Sequence, residues 1–230
     1  NFAFEHICSI GNIKFAKWLL KNNKNIVMSI EYINSIIKSM DIKSYNKEVM
    51  LRTIKWLLEI NPNTNISFNN YIFIKSCKLG EIEFAKWYHD KSNSHTSIDY
   101  NTAFNKSCEY GQLKVAQWLL SINQDIDISA NNINNLFKTS CKYGHLEIAQ
   151  WLLLINPYLN LIVDFNEVFQ YVCEFGYLKV AQWLLLINPE INITIDNHYT
   201  FMKVCELGDV EMAQWLTIIN TDYVVVTYYS

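Results

Sequence analysis

The tryptophans recur at a nearly constant spacing, and this feature constrains the fold more than any other. After the first interval, successive tryptophans are 31 to 33 residues apart. They are Trp18, Trp56, Trp87, Trp118, Trp151, Trp183 and Trp215. A period of this length is typical of solenoids, in which one short unit is repeated and stacked. The sequence therefore predicts one solenoid of seven tandem repeats. Their approximate limits are 1–28, 29–66, 67–97, 98–130, 131–162, 163–194 and 195–230.

Three other residue types follow the same period. Every glycine lies seven residues before a tryptophan, every cysteine three before a glycine, and a phenylalanine four before each cysteine. The glycines are Gly11, Gly80, Gly111, Gly144, Gly176 and Gly208. The cysteines are Cys8, Cys77, Cys108, Cys141, Cys173 and Cys205. Side chains four residues apart share one helical face, so the Phe/Cys pair predicts a short first helix. The glycine ends that helix, because it takes the left-handed conformation readily.

A second helix follows each glycine, as the segment Leu146–Leu154 illustrates. Its apolar residues form a stripe broad enough to bury, and each tryptophan is expected to lie across the seam between adjacent second helices. An asparagine five residues after most tryptophans, for example Asn123, is predicted to end the helix in the left-handed conformation. An extended segment such as Ile191–Ile195 then leads to the next unit. The fold class is all-α, with extended or short β-hairpin connections.

The segment Thr102–Leu120 resembles the ankyrin repeat. Thr102 and Phe104 correspond to the Thr and Leu of the family's T-P-L-H motif, and Gly111 corresponds to the central glycine of the ankyrin repeat. Gly144–Leu153 is similar to the family's G-H-L-E-V-V-x-L-L-L segment, with His145 at the family's histidine position. The likeness extends over the chain, and resembles the divergent Phe/Cys/Trp-rich ankyrin repeats encoded by giant viruses of amoebae. It implies an ankyrin-type solenoid.

The departures from the family pattern are local. Ala103 and Asn105 replace the Pro and His of T-P-L-H, and the connecting segments lack glycine, so their hairpins are flatter or absent. The second repeat lacks the Phe/Cys/Gly pattern. Ile36 and Met40 are the best substitutes for Phe and Cys, which leaves extra residues at 41–46. These form either a tolerated surface insertion or a contact specific to this chain.

Composition and motifs favour a protein that binds rather than catalyses. A net charge of −3 argues against a nucleic-acid partner, and no apolar run is long enough to span a membrane. One cysteine per repeat favours buried thiols in a reducing intracellular compartment over disulfides or a metal site. The cluster His89, Asp90 and His95 could hold a metal or relay a proton, but a polar helix end explains it as simply. We therefore expect no catalytic residues, no cofactor and no metal.

The two residues between each cysteine and glycine are the best candidates for a binding site. The first is charged in five repeats and the second is apolar or aromatic. In ankyrin repeats these positions end the inner helix and face the concave groove, and aromatics flanked by charges are typical of interface hot spots. Alternatively, these side chains turn sideways into the seams between repeats. We call the candidate site the dipeptide stripe. It consists of Lys78, Leu79, Glu109, Tyr110, Lys142, Tyr143, Glu174, Phe175, Glu206 and Leu207.

These features predict a non-catalytic scaffold that binds a partner protein through the concave face of the repeats. The resemblance to viral ankyrin proteins implies a host protein as partner, in the host cytoplasm, and a monomer is favoured. One alternative is self-association, which the apolar ends at Phe2, Phe4 and 224–229 favour. Another is the recognition arm of a ubiquitin-ligase adaptor, with an F-box outside this segment. The chain does not begin with Met, so a longer polypeptide is expected.

Overall fold

The computed structural model describes residues 2–39, 47–60, 70–91, 98–159, 163–193 and 199–220. Throughout these residues the regular structure is helical, and the fourteen helices can be taken in sequence order as seven pairs. The pairs are α1 (Phe2–Ser9) and α2 (Ile13–Asn22), α3 (Ile30–Ser39) and α4 (Lys47–Glu59), α5 (Asn70–Lys78) and α6 (Ile82–Lys91), α7 (Tyr100–Glu109) and α8 (Leu113–Ile122), α9 (Ala130–Lys142) and α10 (Leu146–Ile155), α11 (Phe165–Glu174) and α12 (Leu178–Ile187), α13 (Tyr199–Glu206) and α14 (Val210–Ile219). The all-α class is confirmed.

Six of the seven first helices end just before a glycine, as predicted, and α3 is the exception. All six glycines have positive φ angles, between 74° and 77°. At Gly111 two backbone bonds close the helix: Gly111 N–H donates to Cys108 O at 3.2 Å, and Gln112 N–H donates to Ser107 O at 2.8 Å. These are the two bonds of a Schellman motif, which requires the left-handed conformation that glycine adopts without strain.

The second helices bury the predicted apolar face. In α10, Ile148, Ala149 and Leu152 are buried, while Gln150 next to the tryptophan is exposed. The alanine two residues before the tryptophan is fully buried in five repeats, which fits a close approach between helices.

The prediction for the capping asparagines was wrong. Asn123 ends α8 with φ −137° and ψ 112°, an extended rather than a left-handed conformation. Its side-chain oxygen accepts a hydrogen bond from Asp125 N–H at 2.8 Å. The same bond two residues ahead is made by Asn23, Asn156 and Asn188. These asparagines therefore stop the helix through an Asx turn, an alternative hydrogen bond that Asn offers to its own backbone.

The connections between repeats contain no β-hairpin in the residues that the structure describes. A side chain supplies the link instead: Asn101 Oδ1, at the start of α7, accepts from Asp127 N–H at 2.7 Å. Asn166 Oδ1 in α11 accepts from Asn192 N–H at 2.8 Å. In both cases an asparagine near the start of a first helix binds the connecting segment 26 residues later.

The chain divides into two compact units. One comprises Asn1–Phe73 and Glu83–Ile98, and the other Ile74–Ile82 and Asp99–Ser230. In the first unit, α1 packs against α2 and α3, and Ile36 is fully buried at the position predicted for the missing phenylalanine. Met40 and the extra residues at 41–46 lie outside the described residues.

In the second unit, the first helices pack in sequence order, α7 on α9, α9 on α11, and α11 on α13. Three tryptophans of this unit lie in the seams between its repeats, and each of these rings meets the phenylalanine of the preceding first helix. The ring-centroid distances are 6.1 Å for Phe104–Trp151, 6.1 Å for Phe137–Trp183 and 6.2 Å for Phe169–Trp215.

Candidate functional site

All ten residues of the dipeptide stripe belong to the second unit, at the ends of α5, α7, α9, α11 and α13. The Schellman turn that ends each helix places the residue before the glycine outside the core. Its side chain is exposed in four successive repeats, at 40% for Tyr110, 46% for Tyr143, 51% for Phe175 and 67% for Leu207. Leu79, the corresponding residue before Gly80, is half-buried. The stripe therefore presents apolar side chains to solvent rather than burying them in the seams.

The lysines of the stripe turn sideways onto aromatic rings. Lys78 Nζ lies 4.0 Å from the centroid of the Tyr110 ring, which belongs to the next repeat. Lys142 Nζ lies 5.1 Å from the Tyr171 centroid and 5.6 Å from that of Phe175. An ammonium group within about 6 Å of a ring centroid is attracted to the negative face of the ring. Both alternatives weighed from the sequence are thus present, since the aromatics face solvent and the lysines reach across the seams.

Two of the three acidic residues of the stripe, Glu109 and Glu206, are paired with lysines one turn earlier. Lys106 Nζ donates to Glu109 Oε2 at 2.6 Å, and Lys203 Nζ donates to Glu206 Oε2 at 2.5 Å. The hydrogen bond to Glu109 raises the pKa of Lys106 above its usual value. With these two carboxylates compensated, the exposed aromatic rings are the main feature that the surface offers to a binding partner.

His145 has a structural role next to the stripe. Its Nε2 lies 3.1 Å from the backbone oxygen of Glu109, in the last turn of α7. A carbonyl oxygen only accepts, so Nε2 carries the hydrogen and satisfies a helix-end carbonyl of the preceding repeat. Burial lowers the pKa of His145, which keeps the ring neutral in this position. The imidazole also covers Gly111, where an added Cβ would lie 2.7 Å from Nδ1.

The cysteines are free thiols, and five of the six are buried. Burial raises the pKa of Cys8, Cys77 and Cys108 to about 12. A thiol that keeps its proton at neutral pH is a poor nucleophile and a poor metal ligand. Cys205 departs from the prediction of burial for all six, because it is exposed.

The second candidate cluster is only partly described. His89 and Asp90 lie near the end of α6, and His95 lies outside the described residues. No group of three or more His, Cys, Asp or Glu side chains in the described ranges is arranged to hold a metal ion.

Two sets of exposed side chains were not predicted. Tyr171 and Tyr199 lie on first helices beside the stripe, each with a lysine ammonium group over its ring. Their sequence signal is weak, because the residue two before the cysteine, where Tyr171 lies, is Lys or Thr in other repeats.

The second set is three largely exposed residues on successive second helices, three residues after each tryptophan. They are Leu154, Leu186 and Ile218. Here the regular spacing was a usable signal.

The described helices include none with the length and hydropathy needed to cross a membrane. No family model matches the chain, and comparison with curated proteins likewise finds no match.

Proposed function

We propose that the chain is a non-catalytic recognition scaffold that binds a partner protein through the dipeptide stripe. The proposal rests above all on the exposure of Tyr110, Tyr143 and Phe175 at one helical position in three consecutive repeats. Large aromatic side chains are buried when nothing selects for their exposure, and they dominate the binding energy of protein interfaces.

The contacts around these rings support the same role. Lys78 stands over Tyr110, and Lys142 over Phe175, so part of the ring orientation is set before a partner binds. Ordering a side chain in advance lowers the entropy lost on association. Tyr143 lies near the His145 ring, at a centroid distance of 6.5 Å. The partner protein we expect is one that places apolar groups against a row of aromatic rings, and the resemblance to viral ankyrin proteins favours a host protein.

A triple substitution tests the stripe. We expect Tyr110→Ala/Tyr143→Ala/Phe175→Ala to fold as the wild type does, because the removed side chains are exposed. Affinity capture from a cell lysate should retrieve a partner with the wild type and lose it with the triple variant. For the isolated partner, calorimetry should show affinity weakened by about tenfold or more, since interface hot spots contribute about 2 kcal/mol or more each.

The matched control removes the same number of exposed apolar side chains from the second helices of three repeats. Leu154→Ala/Leu186→Ala/Ile218→Ala should bind the partner as tightly as the wild type. Retrieval of the same proteins by the stripe variant and the wild type would show that the stripe is not the binding surface. Loss of binding in the control variant alone would move the site to the second helices.

A further inference from the structure

The dipeptide stripe presents its three rings in a row whose spacing is set by the packing of the first helices. Tyr110, Tyr143 and Phe175 directly follow α7, α9 and α11. These helices pack on one another in sequence order. Packed helices lie about 8–10 Å apart, so equivalent residues at their ends are separated by a similar distance. A ligand that contacts all three rings must therefore present one side chain at each such interval.

A polyproline II helix has this interval. It has three residues per turn and rises about 3.1 Å per residue, so every third residue faces the same side at steps of about 9.3 Å. A β-strand covers a similar distance in three residues, but its side chains alternate, so residues three apart face opposite sides. An α-helix reaches the spacing at every seventh residue, about 10.5 Å along its axis. The spacing thus leaves two ligand conformations, the polyproline II helix and the α-helix.

The polar groups next to the rings include several donors that are free to bind a ligand. Lys78 Nζ lies 4.0 Å from the Tyr110 centroid, and Lys142 Nζ lies 5.6 Å from the centroid of Phe175. In the part of the chain that the structure describes, neither of these ammonium groups pairs with a carboxylate. The phenol groups of Tyr110 and Tyr143 add two O–H donors.

The acceptors of the stripe are mostly engaged. Glu109 accepts from Lys106 at 2.6 Å, and Glu206 accepts from Lys203 at 2.5 Å. Glu174 is the remaining carboxylate of the stripe. A complementary ligand therefore carries more acceptors than donors, and its charged side chains are acidic rather than basic.

A proline-rich segment in polyproline II conformation has these properties. Proline has no N–H, and this helix makes no internal hydrogen bonds, so its carbonyl oxygens can accept from lysine and tyrosine. An α-helix uses its carbonyl oxygens internally except in its last turn, and would leave the donors of the stripe without partners. Hydrogen bonding therefore favours the polyproline II helix where spacing alone does not decide.

We propose that the dipeptide stripe binds an extended, acidic, proline-rich segment of the partner protein in polyproline II conformation. Every third residue of the segment packs on one ring of the row formed by Tyr110, Tyr143 and Phe175. Carbonyl oxygens and acidic side chains of the segment accept from Lys78 and Lys142. This inference rests on the proposed function, because it names the class of partner for the same surface.

A labelled peptide measures this binding directly. The probe is a fluorescein-labelled peptide of four Pro-Pro-Glu triplets, titrated with the wild-type chain and followed by fluorescence anisotropy. We expect saturable binding, weakened by about tenfold or more in the variant that lacks all three rings, as for the loss of interface hot spots. The matched control Leu154→Ala/Leu186→Ala/Ile218→Ala should bind the peptide as tightly as the wild type. Circular dichroism should show the same helix content in both variants.

Three further peptides test length, conformation and charge. Two Pro-Pro-Glu triplets reach only two rings and should bind about tenfold more weakly than four. Four Ala-Ala-Glu triplets favour the α-helix and should also bind about tenfold more weakly. The same loss is expected for four Pro-Pro-Lys triplets, which reverse the charge of the ligand. Added salt should weaken binding of the Pro-Pro-Glu peptide, because it screens the attraction between ammonium and carboxylate groups.

A conservative variant separates hydrogen bonding from ring contact. Tyr110→Phe/Tyr143→Phe keeps both rings and removes both hydroxyls. We expect its affinity for the Pro-Pro-Glu peptide to fall by about fivefold or more, which corresponds to the loss of at least one hydrogen bond. An unchanged affinity would contradict the choice of a polyproline II ligand.

Three other results would overturn the inference. One is equal binding of the Pro-Pro-Glu peptide by the wild type and the variant that lacks the rings, and another is tighter binding of the Ala-Ala-Glu peptide. The third is displacement of the labelled peptide by an equal concentration of oligothymidylate, which would indicate a stacking site for nucleic acid.

Capture of the partner tests the proposed function separately. If capture depends on the rings and the peptide does not bind, only the proline-rich ligand is refuted. If capture is the same with and without the rings, the proposed function is refuted as well.

Discussion

The sixth and seventh repeats share the Phe, Cys, Gly, Ala and Trp of the repeat pattern, yet those residues lie in different surroundings. Cys173 is 1% exposed, whereas Cys205 is exposed to solvent. Gly176 is covered by Asp209, whereas nothing lies over Gly208. Both repeats have two helices joined by a glycine turn, and the side chain over Gly176 belongs to the seventh repeat. The role of a repeated residue is thus set by its neighbour in the series as much as by its own helix.

Alanine at the glycines gives the largest expected difference between a covered and an open face. Gly144 and Gly208 have φ angles of 75° and 74°, so both substitutions incur the left-handed penalty of about 1–2 kcal/mol. Only at Gly144 would the new Cβ also meet a side chain, 2.4 Å from Cδ1 of Tyr177. Overpacking of this kind adds about 1–3 kcal/mol. Urea unfolding should therefore show a larger loss of stability for Gly144→Ala than for Gly208→Ala, and equal losses would contradict the covering role of Tyr177.

The same comparison between a covered and an exposed side chain can be made for two tryptophans. Trp183 is half-buried against Phe137, whereas Trp18 is 55% exposed. We expect Trp183→Ala to lower the free energy of unfolding by about 2–3 kcal/mol, less than for a fully buried tryptophan, and Trp18→Ala to lower it by about 1 kcal/mol or less. Thermal and urea unfolding at low protein concentration check both values. A loss at Trp18 as large as at Trp183 would mean that the first repeat has no open face.

The buried and exposed thiols should differ in how they couple stability to pH. Burial raises the pKa of Cys108 from 9.0 to about 12, so the folded state holds this proton more tightly than the unfolded state does. The stabilisation is complete below pH 9 and is lost as the pH rises toward 12. In that window each pH unit lowers the free energy of unfolding by about 1.4 kcal/mol for such a thiol.

Two alanine variants isolate this effect from other alkaline titrations. Relative to the wild type, Cys108→Ala should flatten the decline of stability above pH 9, whereas Cys205→Ala at the exposed site should change it less. Urea unfolding at several pH values between about 8 and 10 measures the slopes. The same slope in Cys108→Ala and the wild type would refute the assigned shift.

The helices and their glycine ends could be predicted because they depend on local geometry. At a φ angle of 74° glycine is the favoured residue, so the place of Gly111 in the sequence predicts the turn that ends α7. The place of Asn123 does not predict its backbone conformation in the same way, since asparagine favours both the left-handed cap and the Asx turn. The side-chain bond to Asp125 N–H is observed with an extended backbone, and the sequence alone did not distinguish the two.

Positions that depend on the next repeat were harder to predict. The exposure of Tyr110 fits its place before a helix-ending glycine, but the sequence left open whether its side chain faces solvent or turns into a seam. The position of Lys78 over that ring did not follow, because it joins side chains from two repeats. Cys205 shows the same limit: its residue type and phase predict burial, and only the packing of the following segment decides it.

From Gly80 to Gly176, each glycine is covered by the residue that follows the next glycine, and this has a consequence for how such a chain can change in length. Gln112 covers Gly80, and Tyr177 covers Gly144, so each repeat carries the side chain that fits its predecessor and the glycine that fits its successor. A duplicated or deleted repeat therefore brings or removes both matching parts together. Genes encoding chains of this kind can gain or lose whole repeats without a compensating substitution at the new junction.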